Sequence, residues 1–173
     1  HDSTDVLRRS RTVLQQINIH VVDRTSTSSA DEVLVLCGPT GTPELIVTAV
    51  PHIKLSELSA SQAAHPAEQA HALLSARAAE HYAEIIGTAA REREGQNAPV
   101  PMVLMGHLYV EPEHANETSG YPSRPDIPTL PVTDLLLPSV SYVALGHVHR
   151  MRALDDNQLA YYCGAPLPMS KRT

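Results

Sequence analysis

Histidines are the residues of this chain most suited to chemistry, and two of them end the same short pattern. Residues 103–107 read Val-Leu-Met-Gly-His, and residues 142–147 read Tyr-Val-Ala-Leu-Gly-His, with His149 two positions later. Each pattern is an apolar segment of strand length that ends in Gly-His. Imidazole is the commonest metal ligand near neutral pH. The repeated pattern therefore predicts that His107, His147 and His149 bind metal.

The place of these histidines in a folded sheet gives the prediction its physical basis. A parallel strand brings the chain to the carboxyl edge of its sheet, where open α/β sheets bind their ligands. The glycine before each histidine lets the backbone turn and approach its neighbours closely. His147 and His149 are two residues apart, and side chains at that spacing in an extended segment point to the same side. The two can therefore serve one site, including a pair of adjacent ions.

Three histidines leave several kinds of site open. A His-x-His sequence also arises by chance, and either histidine can simply end a strand. Three imidazoles suit a single catalytic Zn²⁺, as in a three-histidine zinc hydrolase. A hydrolytic site with two metal ions also needs a bridging carboxylate and further oxygen ligands. No aspartate follows a strand in a comparable way, and Asp134, Asp155 and Asp156 are expected in solvated loops or turns.

The elements that must position these histidines follow from the apolar pattern. The chain has 173 residues, 42% of them hydrophobic and 18% charged, which suits one packed domain rather than a disordered chain. Helices are predicted over residues 4–16 and 67–93. Strands are predicted over residues 17–22, 33–37, 45–50, 100–105, 141–145 and 159–163. Strands that are separated by one long helix and by loops predict a layered α/β domain.

Charge and cysteine content restrict the classes of partner and compartment. The net charge is −6 and no block of Lys and Arg occurs, so metal ions or a partner would have to supply much of the attraction to a nucleic acid. No run of about 18 apolar residues is present, so no membrane span is predicted. Cys37 and Cys163 lie in apolar segments and are predicted to be two buried free thiols, which fits a reducing cytoplasm.

Beyond these patterns, the sequence resembles the calcineurin-like metallophosphoesterases. His1-Asp2-Ser3 is similar to the end of the Gly-Asn-His-Asp-Ser motif of that superfamily, and both Gly-His segments are similar to its later histidine motifs. Within the superfamily, the order of motifs resembles the SbcD-type nuclease subunits. The most specific stretches are residues 142–150 (Tyr-Val-Ala-Leu-Gly-His-Val-His-Arg) and residues 162–170 (Tyr-Cys-Gly-Ala-Pro-Leu-Pro-Met-Ser).

The resemblance implies a fold, a reaction and a set of residue roles. The implied fold is a layered α/β/β/α metallophosphoesterase sandwich, here incomplete. The implied reaction is metal-dependent hydrolysis of DNA phosphodiester bonds, as an exonuclease and endonuclease in DNA repair and recombination. His1 is implied as the catalytic histidine, with Asp2 orienting it. Two divalent ions, Mn²⁺ or else Mg²⁺, are implied, with His107 and His147 as ligands of one and His149 as a ligand of the other.

Partners and boundaries also follow from the resemblance. The implied partners are DNA and a coiled-coil ATPase of the SbcC type, with a homodimer as a further expectation, in the cytoplasm and without a membrane. The upstream ligand motifs of the family, Asp-x-His and Gly-Asp-x-x-Asp, do not occur in the chain. Residues 1–173 are therefore expected to be the C-terminal part of the phosphoesterase domain, without the N-terminal metal motifs and the C-terminal capping region, and inactive alone.

Two other interpretations of the chain remain open at this stage. It can be a metallophosphoesterase of another branch that hydrolyses a small phosphoester. It can also be a non-catalytic module that binds a partner.

Overall fold

The computed structural model describes residues 4–26, 28–54, 66–96, 99–112 and 126–167. The helices of these segments are α1 (Thr4–Gln15) and α2 (Ala67–Glu94), and single 3₁₀ turns cover Ser29–Glu32 and Val132–Asp134. The strands are β1 (Val33–Cys37), β2 (Pro43–Ala49), β3 (Met102–His107), β4 (Tyr109–Glu111), β5 (Thr129–Pro131), β6 (Tyr142–Gly146), β7 (Arg152–Ala153) and β8 (Ala160–Tyr162).

Six of these strands form one mixed sheet, in the order β1-β2-β3-β6-β8-β7. The four inner strands β2, β3, β6 and β8 are parallel, and β1 and β7 pair antiparallel with their neighbours at the two edges. The short strands β4 and β5 form a separate parallel pair. The predicted α/β class is confirmed, and the carboxyl ends of the four inner strands meet at one edge of the sheet.

The long helix α2 supplies the layer that covers this sheet. Its buried residues recur at helical spacing, and they include Leu74, Ala78, Tyr82, Ile85 and Ala89. They share one core with the inward residues of the strands. The helix ends at Glu94, and the N–H of the next residue, Gly95, donates to the carbonyl of Arg91 at 3.2 Å. Burying a large apolar side chain stabilises a fold by about 1.5–3 kcal/mol, so this stripe anchors the helix on the sheet.

Most of the predicted elements lie within about two residues of their predicted positions, but the strand predicted over residues 17–22 is wrong. The segment instead continues the last turn of α1, because the N–H groups of Ile17 and Ile19 both donate to the carbonyl of Leu14. Asn18 has a φ of 60°, in the left-handed region that ends helices. Ile17 and Ile19 are exposed, so the apolar pattern there marks no sheet position.

Two further expectations about single residues differ from the structure. Cys37 and Cys163 are free, as predicted, but both are exposed rather than buried. Asp155 is buried rather than solvated, because its carboxylate accepts hydrogen bonds from the N–H groups of Asn157, Leu159 and Ala160 at 3.0, 2.9 and 2.8 Å. Its role is to hold the turn between β7 and β8.

In the described part of the chain, no helix is long and apolar enough to cross a membrane.

Candidate metal centre

The two copies of the Gly-His pattern lie side by side at the carboxyl edge of the sheet. The strands β3 and β6 pair in parallel, with His107 opposite Gly146. The next residue, His147, brings its ring into an edge contact with that of His107, with the ring centroids 5.6 Å apart and the planes at 66°. The placement that the sequence predicts for these two histidines is therefore observed.

At both glycines of the pattern, a neighbouring side chain occupies the space that a Cβ atom would take. A Cβ atom at Gly106 would overlap the hydroxyl of Tyr82, which projects from α2. A Cβ atom at Gly146 would lie 2.9 Å from Nδ1 of His107, closer than real Cβ contacts. The glycine of β6 thus makes room for the histidine of β3, and the glycine of β3 makes room for a tyrosine of α2.

The backbone of His147 is in an uncommon conformation. Its φ of 94° lies in the left-handed region that side chains other than glycine rarely adopt. Such a conformation costs of order 1–3 kcal/mol and is found disproportionately at functional sites. The surrounding structure therefore holds His147 in a position that a relaxed chain would not take.

A further histidine, His52, completes a row that the sequence patterns missed. It follows β2, the neighbour of β3 on the side away from β6, and its ring contacts that of His107 with centroids 5.6 Å apart and planes at 65°. The residues His52, His107 and His147 form what we call the histidine row, and they follow the strand order β2-β3-β6. The signal that could have found His52 is a third apolar strand whose end is followed closely by a histidine, although Pro51 stands where the other copies have glycine.

The electrostatics of the row keep its central member neutral. Burial lowers the pKa of His107 to about 4, with the neighbouring imidazoles of His52, His147 and His149 contributing to the same shift. His149 is therefore close enough to His107 to influence its titration. At neutral pH the His107 ring carries no charge, and the neutral ring is the form that binds a metal ion.

The row fits a divalent transition metal in donor type, but not in donor number. Neutral imidazole is a good ligand for such ions, and Nδ1 of His52 is buried with no hydrogen-bond partner among the described residues. However, within those residues no group of three or more His, Cys, Asp or Glu side chains is arranged to hold an ion. Further ligands would have to complete a centre. His1 and Asp2, the predicted catalytic residues, lie outside the described residues.

Comparison with known proteins bears on the resemblance that the sequence motifs predict. No family model matches the chain. Over 170 residues the chain is 26% identical to the SbcD subunit of the nuclease SbcCD from Escherichia coli strain K12, and equally to its counterpart from E. coli O157:H7. The alignment covers 98% of this chain and 40% of each relative, so the chain spans less than half the length of the curated relatives that it matches. The resemblance to SbcD-type nuclease subunits that the motifs predict is confirmed.

Proposed function

We propose that this chain is part of a metal-dependent nuclease subunit that hydrolyses DNA phosphodiester bonds together with an ATPase partner. The observation that carries the proposal is the pair His107 and His147, which two separate Gly-His segments bring into ring contact at the carboxyl edge of the sheet. The similarity to the nuclease subunit, over 98% of the chain, connects this pair with phosphodiester hydrolysis. A nuclease of this kind would act in DNA repair and recombination.

In this proposal the histidines hold two divalent ions, Mn²⁺ or Mg²⁺. His107 and His147 bind one ion, and His149 binds the other. When bound, such a pair of ions activates water and stabilises the attacking and leaving oxygens of the phosphodiester. His1 contacts the scissile phosphate and helps the leaving oxygen depart, and Asp2 orients His1.

The chain's own structure contributes rigidity and protonation state to this centre. The absence of a Cβ atom at Gly146 leaves space for the His107 ring beside β6. The lowered pKa of His107 keeps it available to an ion at neutral pH. The positive φ of His147 fixes the start of the Gly-His-Val-His segment, so that both of its histidines are presented by one short stretch of chain.

The remaining parts of the proposal concern context. Residues 1–173 form the C-terminal part of a phosphoesterase domain, in which upstream motifs supply the missing ligands. DNA and a coiled-coil ATPase of the SbcC type are the partners, with a homodimer as a further state, in the cytoplasm. The net charge of −6 supports the need for bound cations or a partner, because an acidic chain by itself attracts DNA poorly.

The test is Mn²⁺-dependent cleavage of a linear DNA duplex by the full-length gene product. His147→Ala should abolish cleavage while circular dichroism shows a retained fold. His71→Ala is the matched control, because the His71 ring contacts the carbonyl of Ile127 and the hydroxyl of Thr129 instead of the histidine row. Normal cleavage by the His147 variant would refute the ligand assignment.

Two substrate controls separate the alternatives. Hydrolysis of bis-p-nitrophenyl phosphate without DNA cleavage would indicate a phosphoesterase of another branch. A full-length product that hydrolyses neither substrate, with or without its ATPase, would indicate a non-catalytic binding module. The isolated 173-residue chain should be inactive, because its described residues lack a complete ligand set. Robust turnover by that chain would show that the incomplete-site argument is mistaken.

A further inference from the structure

We propose that His52 is an additional nitrogen donor of this metal centre, outside the three histidines that the sequence patterns identify. The inference rests on the proposed function only in that a divalent ion binds beside His107. It adds a donor from a third strand, and it predicts which ions the centre prefers.

The first argument is the position of His52 relative to the row. The strands β2 and β3 pair in parallel as far as Ala49 opposite Met105, and the N–H of Val50 still donates to the carbonyl of Met105 at 3.0 Å. His52 therefore comes two residues after Val50, which makes the last hydrogen bond of this segment to β3, and it lies directly beside His107. This register is what produces the 5.6 Å contact between the two rings.

The second argument is the state of the His52 ring. Its Nδ1 atom is buried and has no hydrogen-bond partner in the described part of the chain. A buried polar atom without a partner costs about 1–3 kcal/mol, and such atoms in native proteins usually mark an ion, a water molecule or a catalytic role. A phenylalanine ring would pack against His107 without this cost. The nitrogen is thus best explained by something that binds it.

The third argument is spacing. Two imidazoles that bind one ion at about 2.1 Å place their ring centres roughly 5 Å apart. The His52–His107 and His107–His147 separations are both 5.6 Å, so small side-chain rotations would bring adjacent rings onto a shared ion. The row is open rather than closed around one point, in agreement with the lack of a preformed group of three ligands among the described residues.

The chemical consequence is a preference for transition metals. Imidazole nitrogen suits Zn²⁺, Ni²⁺ and Co²⁺, whereas Mg²⁺ takes oxygen ligands. Each histidine added to the centre shifts its affinity toward the first group. A centre that includes His52 should therefore bind Co²⁺ far more tightly than Mg²⁺, and part of that preference should depend on His52.

The experiment is a Co²⁺ titration of the metal-free full-length gene product, followed by the visible absorption of the bound ion. This absorption reports the number and type of ligands without any need for catalysis. His52→Phe keeps an aromatic ring against His107 but removes both nitrogens. It should weaken Co²⁺ binding by at least about 10–100-fold, the loss that follows when even a residue behind a ligand is removed. It should also change the visible spectrum, while the thermal unfolding temperature stays equal or rises. His71→Phe, on α2, is the control and should leave the titration unchanged.

The outcomes separate this inference from the proposed function. Unchanged Co²⁺ affinity and spectrum in His52→Phe would overturn it and would assign His52 to ring packing alone. If that variant fails to fold, His52→Asn is titrated instead, and wild-type affinity and spectrum in it would overturn the inference equally. A wild-type protein that cleaves DNA with Mn²⁺ while His52→Phe binds Co²⁺ normally retains the proposed function and loses only the role of His52. A wild-type protein that neither binds Co²⁺ nor cleaves DNA refutes both.

Discussion

Substitution of Gly106 by alanine is the sharpest test of how the sheet and the long helix fit together. The added methyl group would overlap the Tyr82 hydroxyl, with two further ring atoms, Cζ and Cε1, at 3.1 and 3.2 Å. Tyr82 is only 2% exposed and lies in the packed core between α2 and the sheet. Neither the ring nor the strand can move aside freely, so we expect Gly106→Ala to destabilise the fold.

The expected size of the effect follows from two opposing contributions. Overpacking of a well-filled core costs about 1–3 kcal/mol, and an overlap with one atom of a buried tyrosine plus tight contacts with two more belongs at the upper end of that range. Replacing glycine by alanine also restricts the unfolded chain, which stabilises the native state by about 0.4–1 kcal/mol. The net loss in the free energy of unfolding should be about 2 kcal/mol. In a Tyr82→Phe background the nearest atom is gone, so the same substitution should cost about 1 kcal/mol less.

The assay is urea unfolding of the four proteins of this double-mutant cycle, followed by far-ultraviolet circular dichroism. Gly146→Ala is the matched control, because it adds the same methyl group on the neighbouring strand. There the close neighbour is the half-buried ring of His107, which can rotate, so the change should stay below about 1 kcal/mol. A Gly106→Ala protein as stable as wild type, or an equal cost with Tyr82 and with Phe at position 82, would refute the packing argument.

Three further outcomes are expected from polar groups. The pKa of His107 is about 4 in the folded state, against 6.5 for an ordinary histidine, so the unfolded chain takes up a proton at a higher pH than the folded protein does. The stability of the metal-free protein is therefore unaffected by this group above pH 6.5 and falls as the pH is lowered from 6.5 toward 4. Because the ring is half exposed, solvent screening reduces the loss to roughly 1–2 kcal/mol, measured as the difference from His107→Gln across that range. His81→Leu should destabilise the protein by about 3–5 kcal/mol in thermal unfolding, since it leaves the fully buried Glu32 carboxylate without its 3.0 Å partner. A smaller loss of stability in the Glu32→Leu/His81→Leu double variant would support this explanation, and an equal loss would contradict it. Asp155→Ala should cost about 2–3 kcal/mol in urea unfolding, because three N–H groups lose their acceptor; a change below about 0.5 kcal/mol would contradict the role of the carboxylate in this turn.

Local patterns in the sequence are sufficient to place His107 and His147 at the ends of two buried strands, and the structure shows that these strands are neighbours. Both follow continuous apolar runs, and such runs become neighbouring parallel strands in an α/β sheet. The same reasoning could not find His52, because Pro51 interrupts the pattern and the neighbouring strand is known only from the tertiary register. It also mistakes the region of Ile17 for a strand, since alternation of apolar residues does not reveal whether a sheet position is available.

Burial of polar groups is the other property that the sequence does not reveal. Nothing in the sequence around His81 marks it as buried, yet the residue lies on the inner face of α2 and contacts Glu32. The partner comes from a 3₁₀ turn 49 residues away, and no local pattern connects the two. The roles of His1 and Asp2 remain predictions, because these residues lie outside the described part of the chain.

The histidine row has a consequence for folding, because its members come from three distant parts of the chain. His52, His107 and His147 meet only when β2, β3 and β6 have paired, and the sequence separations between them are long. Long-range contacts of this kind form late and slow the folding of a chain. An ion held by the row would bind the native state and not the unfolded chain, so by mass action it would raise stability with its concentration. A one-residue slip of any of the three strands would turn the corresponding side chain to the opposite face. An ion bound by the row would therefore stabilise only chains in which all three strands have paired in the correct register.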